Sequence, residues 1–201
     1  NNINNSADNG ISLEASSSCT VQENEITNFA GNGIYVAGSN HVIEGNIISD
    51  TTGYASNGIT VVSYLFPAGS SGNQIIGNTI SGIHSEDTSS LGNCGWGIGL
   101  ENYQGTVTNT TIEGNTVTGS DAGVVFFGVD ATNVAHYNKL SGNSFANLGN
   151  SNASVTIDAT KNWWGQATGP AAGTISGLVN YDPWLTHPPV HNVTQGTYFS
   201  T

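Results

Sequence analysis

Arginine is absent from the 201-residue chain, and the two cations are Lys139 and Lys161. Against them stand 14 Asp and Glu, giving a formal net charge of -12 and a pI near 4.3. Nucleic acid and anionic membrane both need clustered cations, so the composition argues against either as a partner. No run of 18 apolar residues occurs, which leaves no candidate membrane span. The chain opens in mid-repeat at Asn1-Asn2-Ile3 without a charged-then-apolar leader, which predicts a processed or trimmed product. Charged residues make up only 8%, so the surface must be built of Asn, Ser, Thr and Gly. Such a surface suits an extracellular protein that is glycosylated, packed against copies of itself, or in contact with sugars. Candidate glycosylation sequons start at Asn4, Asn109, Asn152 and Asn192.

What the chain does have is a recurring phrase. Ile43-Glu44-Gly45-Asn46-Ile47-Ile48 returns as Ile75 to Ile80, Ile112 to Val117 and Leu140 to Phe145, with weaker copies around Asn24 and Asn162 and a truncated one at Asn1. An apolar residue lies three before each Asn and another two after it. The asparagines so aligned are Asn1, Asn24, Asn46, Asn78, Asn115, Asn143 and Asn162, at steps of 19 to 37 residues, a period that marks a solenoid. A second phrase sits in each turn, as in Asn32-Gly33-Ile34-Tyr35-Val36 and Trp96-Gly97-Ile98-Gly99-Leu100. Its alternation of apolar and small or polar residues reads as a short strand. Two strands per turn predict two stacked parallel sheets, each inward Ile or Val finding a like neighbour above and below. The asparagines then superimpose as an amide ladder at a corner whose left-handed backbone Asn and Gly tolerate.

The middle of the chain is expanded. Val62 to Gly72, with Tyr64-Leu65-Phe66-Pro67, and Ser81 to Gly95, with His84, Glu86, Asp87 and Cys94, are long loops on a rigid stack, where binding function usually lives. Glu86 and Asp87, joined by Glu101 and His84, are the candidate acids of a cleaving site, and a calcium ion is a candidate occupant there. A solvated acidic loop is the simpler reading. Tyr64, Tyr103 and Trp96 are candidate sugar-stacking rings; loop packing is the simpler reading of them. Three of the four tryptophans fall at the end, and Trp163, Trp164, Pro183 and Trp184 are expected to close the open end of the solenoid, with a sugar platform as the alternative.

The Gly-Asn-x-Ile and Gly-Ile-x-Val phrases resemble the right-handed parallel β-helix repeat family, the pectate-lyase-like superfamily with its NosD-like members. Asn162-Trp163-Trp164-Gly165, Gly169-Pro170 and Tyr181-Asp182-Pro183-Trp184-Leu185 are similar to the end module of microbial cell-surface members. The resemblance, over roughly residues 1 to 185, implies the fold and leaves function open, since the superfamily holds lyases, hydrolases, epimerases and structural proteins. Its lyases use an Arg or Lys base, and here Arg is missing and neither Lys is suitably placed. The Asn-Thr-Asp and Asp-Pro-His-Glu phrases of its hydrolases and epimerases are missing too.

Cys19 and Cys94 lie about three turns apart, roughly 14 Å at strand spacing, beyond disulfide reach unless the long loop folds back. A bridge within the chain, a bridge between chains and two free thiols stay open, with oxidation favoured outside the cell. The expectation is an all-β, right-handed parallel β-helix of about seven turns over residues 1–165, with a cap and extended tail over 166–201. It is expected to lie at the microbial cell surface, to be catalytically silent and without cofactor or metal, and to self-associate in a layer, sheath or filament. A carbohydrate-binding or polysaccharide-cleaving protein is the alternative.

Overall fold

The computed structural model describes residues 1–49, 56–63, 69–192 and 197–199; the Tyr64 to Pro67 segment lies outside them. The described residues contain strands and turns and no helix. Three long parallel sheets run the length of the stack, where the repeat pattern predicts two. Sheet I takes Asn2–Ser6, Glu25–Phe29, Ile47–Ser49, Thr79–Ser81, Thr116–Thr118 and Lys139–Ser141. Sheet II takes Ile11–Ser17, Asn32–Ser39, Asn57–Val62, Trp96–Glu101, Ala122–Phe127, Ala146–Asn150 and Ile175–Ser176. Sheet III takes Thr20–Gln22, Val42–Glu44, Gln74–Ile76, Thr111–Glu113, Val134–His136, Ile157–Asp158 and Val179–Asn180.

The third sheet arises because the Gly-Asn phrase is a bend between two strands. Gly45, Gly77 and Gly114 have φ of 64°, 62° and 66°, the left-handed turn that glycine adopts without a Cβ clash. The Ile before each bend therefore belongs to sheet III and the Ile after it to sheet I. Ile26, Ile48, Ile80, Val117 and Leu140 stack inward from sheet I, Ile34, Ile59, Ile98, Val124 and Leu148 from sheet II, and Ile43, Ile75 and Ile112 from sheet III. All of these are fully buried, and each such side chain contributes roughly 1.5–3 kcal/mol by leaving water.

Between sheets III and I an amide ladder runs from Asn1 through Asn24, Asn46, Asn78, Asn115 and Asn138 to Asn162, with side-chain bonds of 2.9–3.1 Å at every step. Each Oδ1 from Asn46 onward also accepts the backbone N–H of the asparagine one coil earlier, at 2.8–3.0 Å. The second amide hydrogen reaches back to a carbonyl, Asn78 to Ile43 and Asn115 to Ile75. Polar groups that no water can reach are thus satisfied along the axis.

Asn143 is not in this ladder; Asn138 holds its expected place. Tyr137, with φ 56°, makes the left-handed bend that Gly makes in neighbouring coils, and Lys139-Leu140-Ser141 then enters sheet I. Gly142-Asn143 repeats the phrase one strand later, at the corner between sheets I and II. There Asn143 accepts the Ser120 N–H at 3.1 Å and donates to Val117 O and Asn147 Oδ1.

The sheets also outrun the expected boundary at residue 165. Ile175–Ser176 pairs with Leu148 and Gly149, and Val179–Asn180 pairs with Ile157 and Asp158. Trp164 is buried among the core residues, and the Trp163 backbone continues sheet I beside Lys139. Trp184, half-buried against the core, donates its indole N–H to Ala167 O at 3.1 Å over the face of Gly169. Pro183 O accepts the Lys161 N–H, and Leu185 N–H bonds Asn162 O at 3.0 Å, so residues 183–185 lie over the last ladder corner.

Candidate binding face

The long loop after sheet I is fastened by a residue outside the recurring phrases. Asp121, its side chain 6% exposed, accepts His84 Nδ1 at 2.8 Å, Ser85 N–H at 2.8 Å and Gly95 N–H at 3.0 Å. One carboxylate therefore ties both ends of the loop to the corner of the next coil. Burial pushes the Asp121 pKa up, but the bonds from His84, Ser85 and Gly95 outweigh it and hold the carboxyl below the ordinary range. The signal in sequence was a lone Asp at a corner otherwise made of Gly and Ser.

The loop then folds over the outside of sheet II. Leu91 rests on Gly149, where an added Cβ would sit 2.6 Å from its methyl carbon. Trp96, Cys94, Ala122 and Val125 form a second, smaller apolar cluster with Leu91 and Phe127. The Trp96 ring is buried over Gly99, 5.6 Å from the Phe127 ring centre, and its N–H donates to Leu91 O at 2.7 Å. Trp96 is therefore loop packing, and its buried ring is not offered to a sugar. Asp87 is turned inward on its own loop, accepting Ser89 N–H and the Asn93 amide at 2.8 Å each; those bonds, from Ser89 foremost, lower its pKa. Glu86 is exposed.

Glu101 stands elsewhere, at the end of its sheet II strand. With Tyr35, Val62 and Tyr103 it lines an open cleft of about 260 Å³, which Glu86 and Asp87 do not line. Burial pushes the Glu101 carboxyl above its ordinary pKa, while Tyr103 is 60% exposed. A partly buried carboxyl that shares a cleft with two phenol rings offers polar hydroxyls an acceptor and apolar ring faces a surface to rest on. The expected trio of Glu86, Asp87 and Glu101 is thus divided between a self-bonded loop and this cleft. Tyr64 lies outside the described residues.

Neither cysteine is bridged. Cys94 is a buried free thiol whose pKa burial and the nearby Asp121 charge push up to about 11, and Cys19 is a half-buried free thiol. Among the described residues no three His, Cys, Asp or Glu side chains stand together as metal donors, and no helix is long and apolar enough to cross a membrane. Of the sequon asparagines, Asn4 and Asn109 are exposed, while the Asn152 amide is half-buried and donates to Val129 O at 3.1 Å. The side chain of Asn192 lies outside the description.

Stacked parallel strands bent at left-handed Gly-Asn corners are also what the family comparison detects: residues 1–163 match the model of the right-handed β-helix region. The chain belongs to the right-handed β-helix family. Searches of curated proteins and of solved structures return no match. Among the described residues, the tethered loop and the Glu101 cleft both lie on the outer side of sheet II.

Proposed function

We propose that this β-helix is a non-catalytic structural module of an extracellular surface layer, sheath or filament. The observation that carries the reading is where the buried polar groups go. The ladder asparagines and Asp121 are spent on hydrogen bonds between successive coils. A stack so tied along its axis resists local opening, as suits a load-bearing unit. The low charge content and Asn/Thr/Gly-rich exterior favour contact with like surfaces. Native material imaged under negative stain should contain ordered high-order particles that survive detergent. A strictly monomeric protein at high concentration contradicts the reading.

The Glu101 cleft favours a second reading, carbohydrate binding. Glu101→Gln should weaken retention on a panel of neutral and acidic polysaccharides while leaving the unfolding temperature unchanged. No retention by the parent protein on any member of the panel removes this reading, and release of unsaturated or reducing sugars abolished by the same change would make the protein an enzyme.

A further inference from the structure

The outer surface of sheet I differs from the rest of this acidic chain. Its first outward row is Asn2, Glu25, Ile47, Thr79, Thr116 and Lys139, in unbroken register. Its second is Asn4, Thr27, Ser49, Ser81, Thr118 and Ser141. One carboxylate and one ammonium make it neutral, although the chain carries -12 overall. Acids stand on the other two sides: Glu14 and Glu101 on sheet II, and Glu44, Glu113 and Asp158 on sheet III.

Each of the two lysines also stands towards the opposite end of this edge from a glutamate. Glu25 and Lys139 occupy the same row, four strand spacings or about 19 Å apart. In the adjoining corner row of left-handed residues, Glu23 is the first and Lys161 the last, with φ of 53° and 60°; Lys161 lies one coil beyond the Glu25–Lys139 span. Acid thus marks one end of this edge and base the other. Ile47, 52% exposed, stands between them.

We propose that the outer face of sheet I docks a second copy of this chain, side by side and antiparallel, a pairing that rests on the self-association reading above. A two-fold axis through Thr79 sets Glu25 against Lys139 of the second copy, Ile47 against its Thr116, and Thr79 against itself. The contact is self-complementary, as a two-fold interface must be. Parallel pairing would set Glu25 against Glu25. Axial stacking through the last ladder corner is obstructed because residues 183–185 already lie over it. Short Thr and Ser side chains let the two sheets approach to about 10 Å. At about 0.15 M salt the Debye length is about 8 Å, so carboxylates on the far sides are screened while facing pairs at contact are not.

The footprint, six strands by about 10 Å, is well under the roughly 800 Å² per partner of stable complexes. Pairing is therefore weak in solution and gains strength in an ordered array. The test uses Thr79→Cys, with Cys19→Ser in the background, under mild oxidation at high protein concentration. A disulfide-linked dimer should form at least about tenfold faster than in the sheet III control Gln74→Cys, because docking raises the local thiol concentration. Glu25→Lys or Lys139→Glu alone should abolish the advantage, and the two together should restore it, with circular dichroism showing each variant folded. If sedimentation shows the parent associating while Thr79→Cys and Gln74→Cys link alike, the face is wrong and the structural reading survives. If the parent is monomeric at every concentration and Thr79→Cys does not link, both fall.

Discussion

The bend between sheets III and I and the two ends of sheet II obey different rules. From Glu23-Asn24 to Tyr137-Asn138 the first is always two residues long, a left-handed residue and a buried asparagine. Its length cannot vary, because the Asn must superimpose on those above and below. At the sheet I to sheet II corner the connection ranges from two residues, between Phe29 and Asn32, to the long loop between Ser81 and Trp96. The whole variation in coil length, 22 to 37 residues between ladder asparagines, is thus taken up around sheet II. A solenoid held at one corner can diversify at the others, and here both the tethered loop and the Glu101 cleft lie beside the strand that diversified.

The largest expected effect comes from breaking that rule. Two Gly inserted between Gly114 and Asn115 should prevent cooperative folding, since they interrupt the ladder in mid-stack. The same insertion between Gly119 and Ser120, at the variable corner, should cost about 1 kcal/mol in urea unfolding, chiefly loop entropy. Next is Asp121→Asn, which keeps the shape but weakens the anchor of the long loop. It should destabilise by about 1–3 kcal/mol and shift Trp96 emission to the red as the ring meets water. Acid should act alike on the parent protein. The Asp121 pKa is depressed in the folded state, so its contribution is present above the unfolded carboxyl value and is lost as pH falls through the folded one.

A smaller effect is expected at the corner between sheets II and III, where His41 stands in a row with Asn73 and Asn133. Its Nδ1 accepts the Cys19 N–H at 3.1 Å, as the Asn73 Oδ1 accepts the His41 N–H at 3.0 Å. Asn73 donates its amide to Gly38 O, but among the described residues the fully buried His41 Nε2 makes no bond of that kind. Burial lowers the His41 pKa below 6.5. The folded state therefore prefers the neutral ring, and stability present above pH 6.5 is lost as pH falls below it towards the folded value. His41→Asn should add about 0.5–1 kcal/mol at pH 7 and flatten the pH dependence of the unfolding midpoint between pH 5 and 7.

The repeat was legible because stacking makes its signal redundant. An apolar residue three before Asn and another two after it recur at Asn24, Asn46, Asn78 and Asn115, and all four stand in the ladder. The phrase misled at Asn143, because Gly-Asn makes a left-handed corner wherever it falls, and more than one corner per coil needs such a bend. Ala135 and Leu140 flank Asn138 at the required offsets, and steps of 23 and 24 residues on either side are more even than those through Asn143. Tyr137 in the Gly position concealed it. The third sheet was hidden for a related reason, since periodicity counts apolar positions and not the bend between them. Asp121 was hard to read because two of its partners are backbone N–H groups, which carry no residue identity, and the third, His84, lies a whole coil away in sequence. The Glu101 cleft joins strands 39 and 66 residues apart, and local pattern does not report such distances.

The most direct measurement compares urea unfolding of Asn138→Ala, Asn115→Ala and Asn143→Ala. Asn138→Ala should cost about 2–4 kcal/mol, as Asn115→Ala does, because each leaves a buried backbone N–H of the coil below without its acceptor. Asn143→Ala should cost less: it too leaves a buried N–H, that of Ser120, without its acceptor, but the side-chain bonds it removes, to Ser120, Val117 and Asn147, are longer at 3.1–3.2 Å and fewer than those of Asn138. An Asn138→Ala protein as stable as its parent, with Asn143→Ala matching Asn115→Ala in its loss, would contradict the ladder and the corner rule built on it.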